Sequence, residues 1–220
     1  MNQMDKNTVS SANQLRGKGY VYFFGGQGKK VMFVGNSITL HGVLEEIGWH
    51  LHCGMAASAP EKDYVHLLAD KISAKHEDAS FCICQVAAWE RAYKNGSEVL
   101  KEYEAARNFG ADIIIMRMIE NCPGKDFDEK TFGIEYKNLI DYLNVTGKAE
   151  IICTTGFWKH PGDEEIEKVA KANGYGFVKL NDLGELDEMK AVGLFEHTGV
   201  ANHPGDKGMA TIAERIFELI

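Results

Sequence analysis

Residues 29–39 read KKVMFVGNSIT, an apolar run that stops at the turn-forming triplet Gly35-Asn36-Ser37. Branched and aromatic residues in a short apolar run are typical of a buried strand, and glycine with asparagine marks the turn that ends it. In open α/β sheets, binding and catalytic groups collect at the carboxyl ends of the strands. The pattern therefore brings the Ser37 hydroxyl to that edge of the sheet. The more common use of a serine at such a turn is to cap the next helix.

The rest of the chain alternates strand-like and helix-like segments. Strand-like segments cover residues 19–24, 31–34, 81–87, 112–118, 150–155 and 176–180. Helix-like segments cover residues 64–72, 97–109, 131–143, 163–173 and 206–220. This alternation predicts an α/β fold, a three-layer sandwich with a helix-covered parallel sheet of about five strands. We expect one domain over residues 19–220, preceded by a flexible leader, residues 1–18, that is polar throughout.

The charge of the chain excludes some classes of partner. The 220 residues carry a formal net charge of -8, which gives no general attraction to phosphate backbones or anionic lipids. We therefore expect no nucleic-acid partner and no membrane partner, and the sequence leaves the oligomeric state open. Residues 1–18 contain no signal peptide or apolar anchor, which favours a cytoplasmic protein, or a secreted or periplasmic one if a leader has been removed.

The cysteines and early histidines do not indicate a metal or a disulfide framework. The five cysteines are odd in number and lie in apolar or turn-like segments, as reduced buried thiols do. Cys82 and Cys84 lie in one strand-like segment, where their spacing points both sulfur atoms to one face. His41, His50 and His52 lie close to the serine turn, but no carboxylate spacing completes a metal site, and we expect neither metal nor cofactor.

A candidate base for Ser37 lies in the loop ahead of the last helix-like segment, at His203-Pro204-Gly205-Asp206. A serine needs a base to become a nucleophile at neutral pH, and a histidine held by a proline turn can supply one. Acyl transfer also needs donors for the oxyanion, and the Gly54 amide and the Asn121 side chain lie in suitable loops. The same tetrapeptide recurs at residues 160–163, so it can be a turn and helix-start signal in both places.

Four blocks, taken in chain order, resemble the SGNH (GDSL-like) hydrolase superfamily. They are Gly35-Asn36-Ser37-Ile38-Thr39, Gly54, Asn121 and His203-Pro204. The resemblance implies a flavodoxin-like three-layer α/β/α sandwich and hydrolysis of acyl esters of lipids, small alcohols or O-acetylated sugars. It makes Ser37 the nucleophile and His203 the base. It also assigns the oxyanion hole to the Ser37 amide, the Gly54 amide and the Asn121 side chain.

The sequence departs from the superfamily pattern at three positions. Asn36 replaces the usual aspartate of Gly-Asp-Ser, and Ile119 stands where the asparagine block usually has glycine. Val200 occupies the place of the acid, three residues before the histidine. A valine side chain cannot accept a hydrogen bond, so we expect a backbone carbonyl to orient His203. Glu196 is the tentative substitute acid, and Asp206 is the second candidate for that role.

The candidate substrate-binding residues are Asn36, Trp49 and Trp158, with Trp89 as a further aromatic. Because a sugar ring can stack on an indole face, the tryptophans favour a carbohydrate ester over a long-chain lipid. The sequence therefore predicts a serine esterase that deacetylates an O-acetylated carbohydrate or a similar small ester. The alternatives are a catalytically silent relative that binds a carbohydrate and, from the fold pattern alone, a nucleotide or flavin binder.

Overall fold

The computed structural model describes residues 20–220. Its strands are β1 Tyr20–Gly25, β2 Lys30–Gly35, β3 Ser80–Gln85, β4 Ile113–Arg117, β5 Glu150–Thr154 and β6 Gly176–Val178. They form one six-stranded sheet in the order β1-β3-β2-β4-β5-β6. Strands β2 to β6 are parallel, as predicted, and β1 adds an antiparallel edge against β3. Residues 26–29, between β1 and β2, are too few for a parallel crossover, so the chain reverses there.

The described residues also form seven α-helices. They are α1 Tyr64–Lys75, α2 Ala87–Arg91, α3 Glu104–Phe109, α4 Glu129–Leu143, α5 Asp163–Asn173, α6 Thr198–Ala201 and α7 Asp206–Phe217. The helix predicted over residues 97–109 is only partly correct. Its first half belongs to a 3-10 helical segment, Tyr93–Tyr103, in which Asn95 leaves helical geometry. The Asn95-Gly96 pair is a turn former, which accounts for the kink.

The two faces of the sheet pack against different helices. Along β2, Val31 and Phe33 belong to the core that contains α1 and α7, whereas Met32 and Val34 belong to the core that contains α4 and α5. This follows from the alternation of side chains along a strand. The predicted three-layer sandwich is therefore confirmed. Cys82 and Cys84 both lie in the second core, as their spacing predicts.

The order of the strands determines where a site can form. The chain leaves β2 for β3 on one side and then crosses to β4 on the other side of β2. At such a reversal the loops after neighbouring strands separate and leave a crevice at their carboxyl ends. Ser37 follows β2, and Asn121 follows β4. The predicted leader, residues 1–18, lies outside the described residues. No helix of residues 20–220 is both long and apolar enough to span a membrane.

Candidate active site

Ser37 and His203 are 166 positions apart in the chain and meet at this crevice. The Ser37 Oγ atom lies 2.9 Å from the His203 Nε2 atom. The His203 loop, between α6 and α7, is held by its own backbone: the His203 N–H donates to the Val200 carbonyl, and the His203 carbonyl accepts from the Ala191 N–H, both at 2.9 Å. In this arrangement the imidazole is within reach of the serine proton.

The other ring nitrogen of His203 contacts a backbone carbonyl. The Nδ1 atom lies 2.7 Å from the Gly199 oxygen. Since a carbonyl can only accept, Nδ1 carries the hydrogen and Nε2 is left as the acceptor for the serine hydroxyl. Glu196 is exposed and has no hydrogen bond to His203 among the described residues. The Asp206 carboxylate instead accepts from the amide and hydroxyl of Ser58. Neither carboxylate occupies the position of the acid.

The surroundings of His203 keep its ring neutral. Burial is the largest of the causes that together lower the pKa of His203 from 6.5 to about 4, and the electrostatic interactions with His41, Arg117 and His197 act in the same direction. The hydrogen bond to the Gly199 carbonyl acts in the opposite direction and raises the pKa. A neutral imidazole is the form that a general base requires.

Two of the predicted oxyanion donors keep a hydrogen without an acceptor among the described residues, and the third donates its hydrogen elsewhere. The Ser37 N–H has no acceptor within residues 20–220. The Asn121 Nδ2 atom donates to Glu90 Oε2 at 2.7 Å, and its second hydrogen has no acceptor in that part of the chain. The Gly54 N–H donates to the buried Asp63 carboxylate at 2.9 Å, so it is not directed at an oxyanion.

Gly54 has a packing role that explains why a glycine stands there. A Cβ atom at this position would lie 2.4 Å from the Ile38 carbonyl oxygen. The next residue, Met55, donates its N–H to the Ser37 carbonyl at 2.8 Å. The glycine therefore allows this loop to approach the serine turn closely.

Asn36 lies beneath the serine rather than in the crevice, which corrects the prediction that it binds substrate. It is fully buried, and its Nδ2 atom donates to Glu90 Oε1 at 2.9 Å and to Glu120 Oε2 at 2.5 Å. Its Oδ1 atom accepts from the guanidinium of Arg117 at 3.1 Å. Because the polar atoms of the side chain are already hydrogen-bonded inside the protein, Asn36 has none to offer a substrate.

The prediction that tryptophans border the site is also wrong for two of the three. Trp49 and Trp89 are fully buried, and Trp49 packs on Phe195 and donates its indole N–H to the His41 carbonyl at 3.3 Å. Neither presents an open ring face. Trp158 is half-buried and lies edge-to-face with the His203 ring, with 5.2 Å between the ring centroids. Trp158 is therefore the tryptophan that borders the crevice.

The second His-Pro-Gly-Asp tetrapeptide forms a turn. The His160 Nε2 atom lies 3.0 Å from the Cys122 carbonyl oxygen, and its Nδ1 atom accepts from the Gly162 N–H. His160 thus contacts the backbone and not Ser37. Within residues 20–220, no group of three or more histidine, cysteine, aspartate or glutamate side chains is placed to hold a metal ion.

Sequence reasoning missed three charged side chains that contact Asn36, which are the buried Glu90 and Arg117 and the largely buried Glu120. The Arg117 guanidinium is fully buried and pairs with the Glu120 carboxylate. One signal was available, because an arginine at the end of an otherwise apolar strand needs buried carboxylate partners. Nothing in the sequence around Glu90 marks it as one of them.

Comparison with known proteins gives matches by structure only. No family model matches the chain, and no curated protein matches it by sequence. A two-domain esterase active on acetylated mannans, crystallised with mannopentaose, matches with a TM-score of 0.53 and 16% identity over 87% of this chain. A family two carbohydrate esterase from Cellvibrio japonicus matches with a TM-score of 0.56 and 15% identity over 89% of this chain.

A third match comes from a member of the lipolytic protein G-D-S-L family of Veillonella parvula DSM 2008. It has a TM-score of 0.51 and 12% identity, and covers 87% of this chain and 98% of its own. The chain spans only 49% of the two-domain esterase and 61% of the Cellvibrio enzyme. Together these matches confirm that the chain has the SGNH (GDSL-like) hydrolase fold.

Proposed function

We propose that the protein is a serine esterase that removes a small acyl group, in particular acetyl from an O-acetylated carbohydrate. One observation carries the proposal: the Ser37 hydroxyl lies 2.9 Å from His203 Nε2, and His203 Nδ1 lies 2.7 Å from a backbone carbonyl. This is a nucleophile within reach of a base whose ring is oriented by a third group.

The reaction follows from the position of each hydrogen. Ser37 Oγ forms a bond to the acyl carbon while His203 Nε2 takes the hydroxyl proton. The oxyanion accepts from the Ser37 N–H and from the second Nδ2 hydrogen of Asn121. The bond to the alcohol oxygen then breaks, and that oxygen takes the proton from Nε2. Water next attacks the acyl carbon while Nε2 takes one of its protons. The bond between the acyl carbon and Ser37 Oγ then breaks, the proton passes from Nε2 to Oγ, and the carboxylic acid leaves.

The choice of an acetylated carbohydrate rests on the site and on the structural relatives. Trp158 borders the crevice and offers an aromatic surface of the kind that packs against sugar rings. One relative is an esterase active on acetylated mannans, and another is a carbohydrate esterase. These relatives favour deacetylation over the hydrolysis of long-chain lipids.

An assay of acetate release tests the proposal. The purified protein is incubated with an aryl acetate and with acetylated mannan and xylan oligosaccharides, and acetate is measured against the Ser37→Ala variant. We expect turnover that depends on Ser37. A folded protein that binds these oligosaccharides but releases no acetate would support the alternative, a silent carbohydrate-binding relative. The feature that favours this alternative is that His203 Nδ1 contacts the Gly199 carbonyl and no carboxylate of residues 20–220.

The pH dependence of the reaction should reflect the low pKa of His203. A base works only when unprotonated, so kcat/KM should stay constant as the pH falls from about 7 to 5. It should decline near pH 4, the pKa that His203 has in its largely buried surroundings. The free energy of unfolding should also fall between pH 6.5 and 4, because over this range the unfolded histidine binds a proton and the folded one does not. Brief assays across this range, with urea titrations at each pH, measure both. A decline of kcat/KM centred near pH 6.5 would contradict the prediction.

Restoring the usual acid should not improve this enzyme. Val200 is 1% exposed and packs in the core that contains α1 and α7. A Val200→Asp substitution would bury a carboxylate among apolar groups, and we expect it to lower the free energy of unfolding by about 3 kcal/mol. Urea titration measures this loss, with Val200→Thr as the shape-matched control. An Asp variant that is both stable and faster would show that the carbonyl of Gly199 is a poor substitute.

A further inference from the structure

Glu90 is a fully buried carboxylate that accepts hydrogen bonds from three residues in two segments of the site. It lies on α2, and its Oε1 atom accepts from Asn36 Nδ2 at 2.9 Å and from the Ile119 N–H at 2.5 Å. Its Oε2 atom accepts from Asn121 Nδ2 at 2.7 Å. A single carboxylate thus joins the residue before Ser37 to the loop that carries Asn121.

The loop that Glu90 holds has a strained backbone. Ile119 adopts a φ of 140°, a region that favours glycine and disfavours branched residues. Such a conformation persists only where its surroundings hold it, and the hydrogen bond from the Ile119 N–H to Glu90 is one such restraint. The superfamily usually has glycine here, so in this chain the loop depends on its neighbours for its shape.

We propose that Glu90 is a positioning residue for the esterase reaction, which holds the Asn121 amide so that its second hydrogen faces the oxyanion. The inference rests on the proposed function. An Asn Nδ2 group has two hydrogens, and fixing one on a buried carboxylate fixes the direction of the other. A charged acceptor also makes that hydrogen bond stronger than a neutral one would.

The identity of residue 36 fits this role of Glu90. Asn36 donates to both Glu90 and Glu120, and these two carboxylates lie close to one buried cation, Arg117. An aspartate at position 36, the usual superfamily residue, would place a third carboxylate against the other two and offer no hydrogen. The asparagine therefore provides the hydrogen-bond donors, without a further negative charge, that the Glu90 and Glu120 carboxylates need.

The test replaces Glu90 by glutamine, which keeps the shape but turns one acceptor oxygen into an NH2 group that faces donors. We expect kcat for an aryl acetate to fall about 100-fold while KM changes less than about threefold, because the loss is that of an oriented oxyanion donor. The rate of Ser37 phosphonylation by a fluorophosphonate should fall in parallel. The exposed Glu98→Gln serves as the matched control and should leave both rates unchanged.

A double-mutant cycle with Asn121→Ala separates positioning from a general effect on folding. If Glu90 acts through Asn121, then Glu90→Gln should cost less than about threefold in kcat when Asn121 is already alanine. Equal losses in both backgrounds would overturn the inference, as would full activity of the folded Glu90→Gln variant. If Glu90→Gln does not fold, Glu90→Asp enters the same cycle, with an expected loss of about tenfold. Absence of esterase activity in the wild-type protein would instead refute the proposed function.

Discussion

Replacing His203 by alanine is expected to lower kcat/KM for an acetyl ester by about 1,000-fold or more. Without the imidazole, no group within hydrogen-bond distance of Ser37 Oγ takes its proton, since His203 Nε2 is the side-chain partner that the described residues provide. Steady-state hydrolysis of an aryl acetate measures the loss. Circular dichroism and the thermal midpoint establish that the variant is folded.

His160→Ala is the matched control for this prediction. It removes a histidine from the same tetrapeptide, His-Pro-Gly-Asp, but His160 contacts the Cys122 carbonyl and the Gly162 N–H instead of Ser37. We expect its kcat/KM to stay within about threefold of the wild-type value. If His160→Ala were inactive and His203→Ala active, the assignment of the base would be wrong.

Gly35→Ala is expected to lower the free energy of unfolding by about 3 kcal/mol or more. Gly35 ends β2 between β3 and β4, and a Cβ atom there would lie 1.8 Å from Thr39 Oγ1 and 2.6 Å from the Arg117 carbonyl oxygen. Thr39 cannot move aside cheaply, because its Oγ1 atom is 2.7 Å from the buried Tyr64 hydroxyl. Relief must come from the backbone of the serine turn, so activity should fall as well.

Urea denaturation measures the loss of stability, with Gly124→Ala as the control. A Cβ atom at Gly124 would meet nothing within 4 Å, so this variant should be within about 0.5 kcal/mol of wild type. If the Gly35→Ala protein were as stable as Gly124→Ala, the prediction would be wrong, because the serine turn would then accommodate a Cβ atom at position 35.

The sequence predicted the sheet and the serine–histidine pair because both depend on local signals. The apolar run before Gly35 specifies a buried strand, and the turn after it brings Ser37 to the carboxyl edge. His203 was identified from its place before the last helix. A backbone carbonyl was expected to orient the His203 ring because the Val200 side chain has no hydrogen-bond acceptor. The sequence could not distinguish the Gly199 carbonyl from the Glu196 carboxylate.

The predictions that failed depend on contacts between distant segments. A tryptophan next to a loop glycine can equally be core or surface, and Trp49 packs on Phe195, which lies far along the chain. The Gly54 amide was predicted as a donor from its loop and from the resemblance, yet Asp63 accepts its hydrogen. Glu90 has no signal in the sequence, because its partners come from the serine turn and the β4 loop and a single glutamate on a short helix ordinarily faces solvent.

The central claim is that Ser37 is a nucleophile activated by His203, whose Nδ1 atom contacts the Gly199 carbonyl and no carboxylate of residues 20–220. The most direct measurement is reaction with a fluorophosphonate, followed by intact mass and peptide mapping. We predict one phosphonyl group per chain, located on Ser37, absent from Ser37→Ala and formed at least about 1,000-fold more slowly in His203→Ala. A folded wild-type protein that remains unmodified while a known serine esterase reacts fully, or that is modified at another residue, would contradict the claim.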